Sequence, residues 1–181
     1  VHNGIIENAD NLRAQLRAQG AVFASETDTE VVVHLLAHAY DQAEPASYTG
    51  EVAGLSGTDE AVARRLVVAM REVTAKLEGT FTLLALSTES PKVIVAARRS
   101  SPLVIGLGEG ENFLGSDVLA FIEHTNRAVE IGQDQLVVVS ASAVTVIGAD
   151  GHPVPLKEYE VDFSADRATK GGWPTFMEKE I

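Results

Sequence analysis

In the first half of the chain, apolar residues recur at intervals of three and four positions. The clearest case begins at Thr58 or Asp59, either of which can cap a helix, and stops at Gly79. Its apolar stripe consists of Val62, Leu66, Val67, Met70, Val73 and Leu77. This spacing places all six side chains on one face, so it predicts a long amphipathic helix packed on a core.

Two shorter helices are predicted before it. The first begins at Asn8 or Asp10 and ends at Gly20. Its exposed face is expected to carry Arg13, Arg17 and Gln19. The second begins at Thr27 and runs to about residue 40. It is apolar almost all round, which predicts a largely buried helix. Between the two, residues 21–24 have a short strand-like pattern.

After residue 80 the period changes from that of a helix to that of a strand. Apolar, β-branched runs alternate with Pro, Gly or Ser, as is typical of short strands. These runs are residues 81–86, 93–97, 103–107, 112–115, 129–131, 136–140 and 144–147. A helical turn is predicted at 117–124, a hairpin turn at 149–151 and a further edge strand at 152–161. Helices first and mostly antiparallel strands later predict an α+β layered sandwich.

Composition narrows the class of protein. The 181 residues suffice for one domain, and 45% of them are hydrophobic, as in a globular chain. The formal net charge of −12 argues against binding to nucleic acid or anionic membranes, which favour basic surfaces. No apolar run reaches the length of a membrane span. The absence of cysteine excludes disulfides and thiolate metal sites, so the cytoplasm is the expected compartment.

Residues 42–58 interrupt the helical half of the chain. They are rich in Gly, Ala, Ser and Pro and show no period, which predicts a surface loop.

The first candidate site is the Asn3-Gly4 dipeptide. Asn-Gly favours turns, and here it stands between Val1 and the β-branched Ile5-Ile6 pair, so it is expected to interrupt or end a strand. Glycine allows a ligand to approach the backbone closely. The Asn3 side-chain amide and the Gly4 backbone N–H are two adjacent donors, which is the arrangement that an oxyanion hole requires.

The second candidate site is the stretch SETDTE at residues 25–30. Thr27 and Glu30 fit a capping box, with Thr27 as N-cap and Glu30 at N3. Asp28 then lies in the first helical turn. It can simply complement the helix dipole there, or its carboxylate can project towards the ammonium group of a ligand. The residues by themselves leave both interpretations open.

Three other patterns have simpler explanations. Glu30, His34 and His38 share a helical face, but the sequence lacks the HExxH motif and the helix is apolar, so structural histidines are favoured over a metal site. The glycines of residues 106–110 lack the context of a phosphate loop and predict a tight turn. The Ser-, Asp- and His-containing stretch at residues 100–124 has no nucleophile elbow, so Ser116-Asp117 more plausibly caps a turn.

Taken together, four motifs resemble one protein family. They are VHNGIIEN at residues 1–8, SETDTEV at 25–31, SPLVIGLGEGENFLGSD at 101–117 and FMEKEI at 176–181. In this order they are similar to the glutaminase domain of the glucosamine-6-phosphate synthases, which are glutamine–fructose-6-phosphate aminotransferases. That domain is a class II glutamine amidotransferase of the Ntn-hydrolase superfamily. The resemblance implies a four-layer αββα sandwich.

The resemblance also implies a chemistry and its residues. In the family, an N-terminal Cys attacks the side-chain amide of glutamine, and the released ammonia converts fructose 6-phosphate to glucosamine 6-phosphate. Asn3 and Gly4 match the oxyanion donors, and Asp28 matches the carboxylate that binds the α-ammonium group. His2 is expected to support the site without touching the reacting atoms. Neither a metal nor a cofactor is implied.

This chain departs from the family at its start. It has no cysteine and begins at Val1, so residues 1–181 are interpreted as a partial glutaminase domain that lacks its N-terminal strands, the nucleophile and an arginine loop. The partners implied are glutamine, the isomerase domain of a parent chain, and either a second copy or a companion N-terminal fragment at the open sheet edge. The fragment alone is expected to be inactive. The alternative is a nucleophile-free Ntn-like module that binds a ligand or partner.

Overall fold

The structure of the chain is a computed structural model that describes residues 1–162 and Met177. The rest of the FMEKEI motif lies outside the described residues. Three α-helices are present in the described part: α1 (Ala9–Ala18), α2 (Asp28–Gln42) and α3 (Gly57–Lys76). Two short 3-10 helices cover Pro45–Ser47 and Val118–Ala120. The three predicted helices are therefore confirmed, and no helix of the described residues could cross a membrane.

The described strands form two antiparallel sheets. Their bounds are β1 (His2–Ile6), β2 (Gly79–Ser87), β3 (Ser90–Arg99), β4 (Val104–Leu107), β5 (Asn112–Gly115), β6 (Arg127–Glu130), β7 (Leu136–Val139), β8 (Val144–Ile147), β9 (Pro153–Val154) and β10 (Glu158–Glu160). The large sheet has the order β1-β2-β3-β7-β8-β9, and the small sheet has the order β10-β6-β4-β5. The predicted extra edge strand is thus divided, because β9 closes one sheet and β10 the other.

The elements form layers around two apolar interfaces. One face of the large sheet packs against the helices, with Leu83 and Val95 among its buried residues. The other face packs against the small sheet through alternate residues such as Ala96 and Val137. The turn that contains the second 3-10 helix covers the outer face of the small sheet with Phe121. This arrangement confirms the α+β sandwich.

Two local predictions for the region before α2 are wrong. Residues 21–24 form no strand, and Arg13 is only 5% exposed although it was expected on the open face of α1. Arg13 is buried because it turns inward to bind the Ser25 and Thr27 carbonyls of the segment that joins α1 to α2.

Helix α2 is less buried than its apolar sequence predicts. Val33 is 58% exposed and flanks a groove of about 540 Å³ that also contains Leu86 of β2. The groove lies beside β1, beyond which no further strand of residues 1–162 extends the sheet. The apolar surface of α2 is therefore buried only where the strands of the large sheet extend over it.

The caps and the long loop also differ in detail. Asn8 stands at the N-cap of α1, but its side chain binds the Lys76 carbonyl and the Glu78 N–H instead. The N-cap of α3 is Ser56. The loop at 42–58 has no regular period, as predicted, yet Tyr48 and Val52 are buried in the core.

Candidate functional site

The Asn3-Gly4 dipeptide lies inside strand β1, so the expectation that it interrupts or ends a strand is wrong. Asn3 pairs with Thr82 and Gly4 pairs with Phe81. Gly4 has a φ of +126°, and a Cβ at this position would clash with the Thr80 carbonyl oxygen. The strand therefore continues through the dipeptide only because residue 4 is glycine.

Strand β1 is an edge strand, and its backbone donors alternate between two directions. Val1 and Leu84 exchange two backbone hydrogen bonds of 2.8 and 2.9 Å, which fixes the register. In an antiparallel ladder the next residues alternate, so the N–H groups of Gly4 and Ile6 are directed towards the open side. The Ile6 N–H confirms this, because it donates to Oδ2 of Asp28 at 2.9 Å.

The Asn3 side chain extends from the strand on the face opposite to that of His2. It is exposed and makes no hydrogen bond to any residue that the structure describes. Asn3 and Gly4 thus offer an amide and a backbone N–H on the same edge of the sheet. Neither donor is committed to a side chain of the described residues.

Asp28 is the first residue of α2, directly after the N-cap Thr27. Thr27 Oγ1 accepts from the Glu30 N–H at 3.4 Å, which confirms the first half of the capping box. The Asp28 side chain is 29% exposed, and its Oδ1 lies 3.8 Å from Nδ1 of His2. One carboxylate oxygen thus binds the edge strand, while the other remains available to a ligand.

His2 lies behind this carboxylate. Its side chain is 3% exposed, and Nδ1 lies 2.9 Å from Thr29 Oγ1. The other ring nitrogen is buried without a partner among the described residues. His2 therefore links β1 to the first turn of α2, and its imidazole does not reach the outer edge.

The second half of the capping box is wrong. Instead of binding the Thr27 N–H, Glu30 accepts from the N–H groups of Ala24 and Ser25, both at 2.7 Å. The Ser25 hydroxyl also donates to the Glu30 carboxylate. These hydrogen bonds, of which the one from the hydroxyl has the largest effect, lower the pKa of Glu30 from its ordinary 4.5 to about 2. Glu30 and Arg13 are the residues of this region whose roles the sequence analysis missed. Only an unusual density of polar residues in SETDTE could have indicated them.

The alternative sites do not form in the described residues. His34 lies 3.7 Å from Glu30 and stacks on Phe23, while His38 is exposed. No group of three possible metal ligands occurs in residues 1–162. The glycine-rich stretch is the turn between β4 and β5.

The members of the candidate serine triad contact other residues instead of one another. Asp117 accepts from the Leu119 N–H and caps the 3-10 helix, as predicted, while His124 stacks on Phe113.

The fold and the edge site together define a class of protein. Two antiparallel sheets pack face to face, with helices on one side and open backbone donors on an edge strand. Residues 1–123 match the family described as the glutamine amidotransferase domain. The chain belongs to this family.

Several of its relatives among curated proteins carry one name. The glutamine–fructose-6-phosphate aminotransferase (isomerizing) of Leifsonia xyli subsp. xyli is 50% identical over 181 residues, which is 100% of this chain and 26% of the relative. The protein of the same name from Streptomyces coelicolor is 49% identical, with the same two coverages of 100% and 26%. The chain therefore spans about a quarter of the length of these relatives.

A solved structure supports the fold. The glutamine phosphoribosylpyrophosphate amidotransferase from B. subtilis, complexed with ADP and GMP, matches with a TM-score of 0.53 and 20% sequence identity. The match covers 91% of this chain and 29% of that one. At this identity the likeness concerns the architecture.

Proposed function

We propose that this chain forms the glutamine-binding part of a glutaminase site in a glutamine–fructose-6-phosphate aminotransferase (isomerizing). In this site Asn3 and Gly4 stabilise the oxyanion, Asp28 binds the α-ammonium group of glutamine, and His2 supports Asp28. The ammonia would pass to an isomerase domain of the same enzyme and convert fructose 6-phosphate to glucosamine 6-phosphate. The family membership and the identically named relatives support this assignment.

The observation that carries the proposal is the order of groups along the outer edge of β1. The Gly4 N–H and the Ile6 N–H, which holds Asp28, are two residues apart, or about 7 Å along a strand. In glutamine, four bonds of about 1.5 Å separate the α-nitrogen from the side-chain carbonyl carbon. An extended glutamine can therefore place its ammonium group near Asp28 while its amide carbonyl lies near Asn3 and Gly4.

The proposed chemistry needs a nucleophile that these 181 residues do not contain. When the thiolate of a cysteine attacks the amide carbonyl, the oxygen becomes negatively charged, and the two donors of β1 stabilise it. The C–N bond then breaks as the nitrogen takes up the proton that the thiol had lost, and ammonia leaves. Water hydrolyses the thioester, which releases glutamate and restores the thiol. Because the sequence has no cysteine, the thiol must come from outside residues 1–181.

A second candidate function is favoured by the same composition. A chain without cysteine can use the edge site to bind an amino acid or a partner without hydrolysing it. When no ligand is bound, we infer that the outer edge of β1 pairs with a companion segment or a second copy, because its backbone donors are open and Ile5 is exposed. Such pairing would compete with a ligand for the Gly4 N–H. Without disulfides, the cytoplasm remains the expected compartment.

The test compares Asn3→Ala with Asp28→Asn in the full-length gene product. Asn3→Ala should lower kcat by roughly 10²–10³, since the oxyanion exists only in the transition state. Asp28→Asn should raise the KM for glutamine and largely preserve kcat, because the ammonium charge does not change during the reaction. Glutamate release at different glutamine concentrations measures both.

Asp10→Asn is the matched control, because Asp10 is an exposed acid in the first turn of α1. If Asp28 has only a structural role, through the helix dipole and the bond from the Ile6 N–H, Asp28→Asn should lower stability with an unchanged KM, and Asp10→Asn should lose about 0.3–1 kcal/mol. That result would remove the binding role of Asp28. A full-length product that binds glutamine without hydrolysing it would favour the second candidate function.

A further inference from the structure

The segment between α1 and α2 is held by two side chains from opposite sides. Glu30 binds its N–H groups, with its two carboxylate oxygens 2.7 Å from the nitrogens of Ala24 and Ser25. The Ser25 hydroxyl adds a third bond of 2.5 Å to Glu30. A single carboxylate thus takes up three donors of a segment that has no regular structure.

Arg13 binds the carbonyl groups of the same segment. Its guanidinium donates to the Ser25 oxygen at 3.0 Å and to the Thr27 oxygen at 2.9 Å. The guanidinium also lies 4.8 Å from the centre of the Phe23 ring, and the residue is almost fully buried. Buried charge-assisted hydrogen bonds of this kind are strong and directional, so residues 25–27 have little freedom.

These contacts are not those of a capping box. In a capping box the acidic residue at N3 binds the N–H of the N-cap residue. Here the Thr27 N–H instead donates to Ser25 Oγ at 3.3 Å, and Glu30 reaches N–H groups that lie outside the helix. The bonds of Glu30 therefore fix the path of the chain into α2.

Asp28 depends on that path. It follows Thr27 directly, and its carboxylate has one hydrogen bond in the described residues, from the Ile6 N–H at 2.9 Å. Its other oxygen lies 3.8 Å from His2. Few contacts hold the carboxylate itself, so the backbone at the start of α2 determines where it lies.

We propose that Glu30 is a positioning residue for Asp28, and that the Glu30 contacts with residues 24 and 25 set the affinity of the site for the α-ammonium group of an amino-acid substrate. The part that concerns the ammonium group rests on the proposed function. The part that concerns the position of Asp28 is independent of it.

Amide exchange tests the positional part on the 181-residue chain. The Ile6 N–H points to the open edge, so its protection reports the bond to Asp28. In Glu30→Gln, Ile6 should exchange roughly tenfold faster. The Glu7 N–H, which donates to the Glu78 carbonyl, should not change. Glu26→Gln is the control, because Glu26 lies in the same segment with an exposed side chain.

Kinetics of the full-length gene product test the ammonium part. Glu30→Gln should raise the KM for glutamine roughly tenfold with kcat preserved, as a small displacement of a binding group does. It should not affect the hydrolysis of glutaramate, an analogue that lacks the α-ammonium group. In an Asp28→Asn background, Glu30→Gln should have no further effect on KM, because the two residues act through one contact.

The outcomes are distinguishable. Unchanged Ile6 exchange in folded Glu30→Gln would overturn the positional role, as would an equal loss of activity on glutamine and glutaramate. A normal glutamine KM in Asp28→Asn would instead overturn the proposed function. If Glu30→Gln does not fold, Ser25→Ala removes one of the three bonds to Glu30, together with the acceptor of the Thr27 N–H, and an increase in Ile6 exchange is again expected. No increase there would count against the proposal.

Discussion

The centre of the large sheet and its β1 end differ in how much of their surface and backbone is left uncovered. At the centre, strands β3 and β7 are covered on both faces, and Val95, Ala96 and Val137 are fully buried. At one end, β1 has similar apolar residues, yet Ile5 is 67% exposed. The backbone differs in the same way. Central strands pair their N–H groups with two neighbouring strands, whereas β1 pairs only those that face β2.

This difference explains why the candidate site lies at the edge. An oxyanion hole needs donors that the fold has not already used, and within a sheet an edge strand is the place that offers backbone N–H groups of this kind. The edge must nevertheless be rigid. Here the pairing of β1 with β2, the glycine at position 4 and the bond from Ile6 to Asp28 supply that rigidity.

The largest expected effect concerns the glycine that keeps the edge strand continuous. Gly4→Ala should cost more than about 3 kcal/mol of unfolding free energy, because positive φ and a clash with the Thr80 carbonyl add up. Gly110→Ala is the control, since Gly110 has a φ of +73° with open space around its Cα. It should cost only about 1–2 kcal/mol. Urea denaturation measures both, and equal losses would contradict the special role of Gly4.

An Ile→Ala substitution should cost more unfolding free energy on the inner strand β8 than on the edge strand β1. Ile147 of β8 is 0% exposed, and Ile147→Ala should cost about 2–5 kcal/mol through lost burial and a cavity. Ile5→Ala on β1 should stay within about 0.5 kcal/mol. Thermal or urea unfolding of both variants measures the difference. If Ile5→Ala is as costly as Ile147→Ala, some surface covers β1 in solution.

A cover of this kind is expected only at high concentrations of the chain, above those used for the unfolding experiment. The open edge and the exposed Ile5 should let the 181-residue chain associate with a second copy or a companion fragment. Sedimentation should show mass that rises with concentration for the native chain and a monomer for Ile5→Lys, since a charge blocks edge pairing. Val22→Lys, at an exposed site outside the sheet, should leave association unchanged. A monomeric native chain with cooperative unfolding would contradict this prediction.

The smallest effect concerns pH. The pKa of Glu30 falls from its ordinary 4.5 to about 2 on folding, so its contribution to stability is complete above pH 4.5 and is lost as the pH falls towards 2. Between pH 7 and pH 3, the Tm of the native chain should therefore fall more than that of Glu30→Gln. Glu26→Gln should follow the native chain. Parallel Tm curves for the native chain and Glu30→Gln would contradict the assignment.

Local sequence patterns predicted most of the helices and strands, but they did not predict which side chains another part of the chain covers. The stripe from Val62 to Leu77 predicted α3, and the alternating runs after residue 80 predicted the strands. The inward direction of the Arg13 side chain was not predictable from the sequence. The apolar spacing of a helix does not reveal whether solvent or a loop covers one of its polar positions. The exposure of Val33 was missed for the same reason, since an apolar residue is buried only if another element reaches it.

The amino-acid sequence was sufficient to predict the α+β class, the helices, the antiparallel strands and the chemistry that Asn3, Gly4 and Asp28 can offer. These follow from the spacing of apolar residues and from side-chain type, which are local properties. The tertiary structure alone decided that Asn3-Gly4 continues a strand, because that depends on pairing with β2, whose residues lie almost 80 positions away. It also decided that Glu30 binds Ala24 and Ser25, because the fold of the segment brings those N–H groups to the carboxylate.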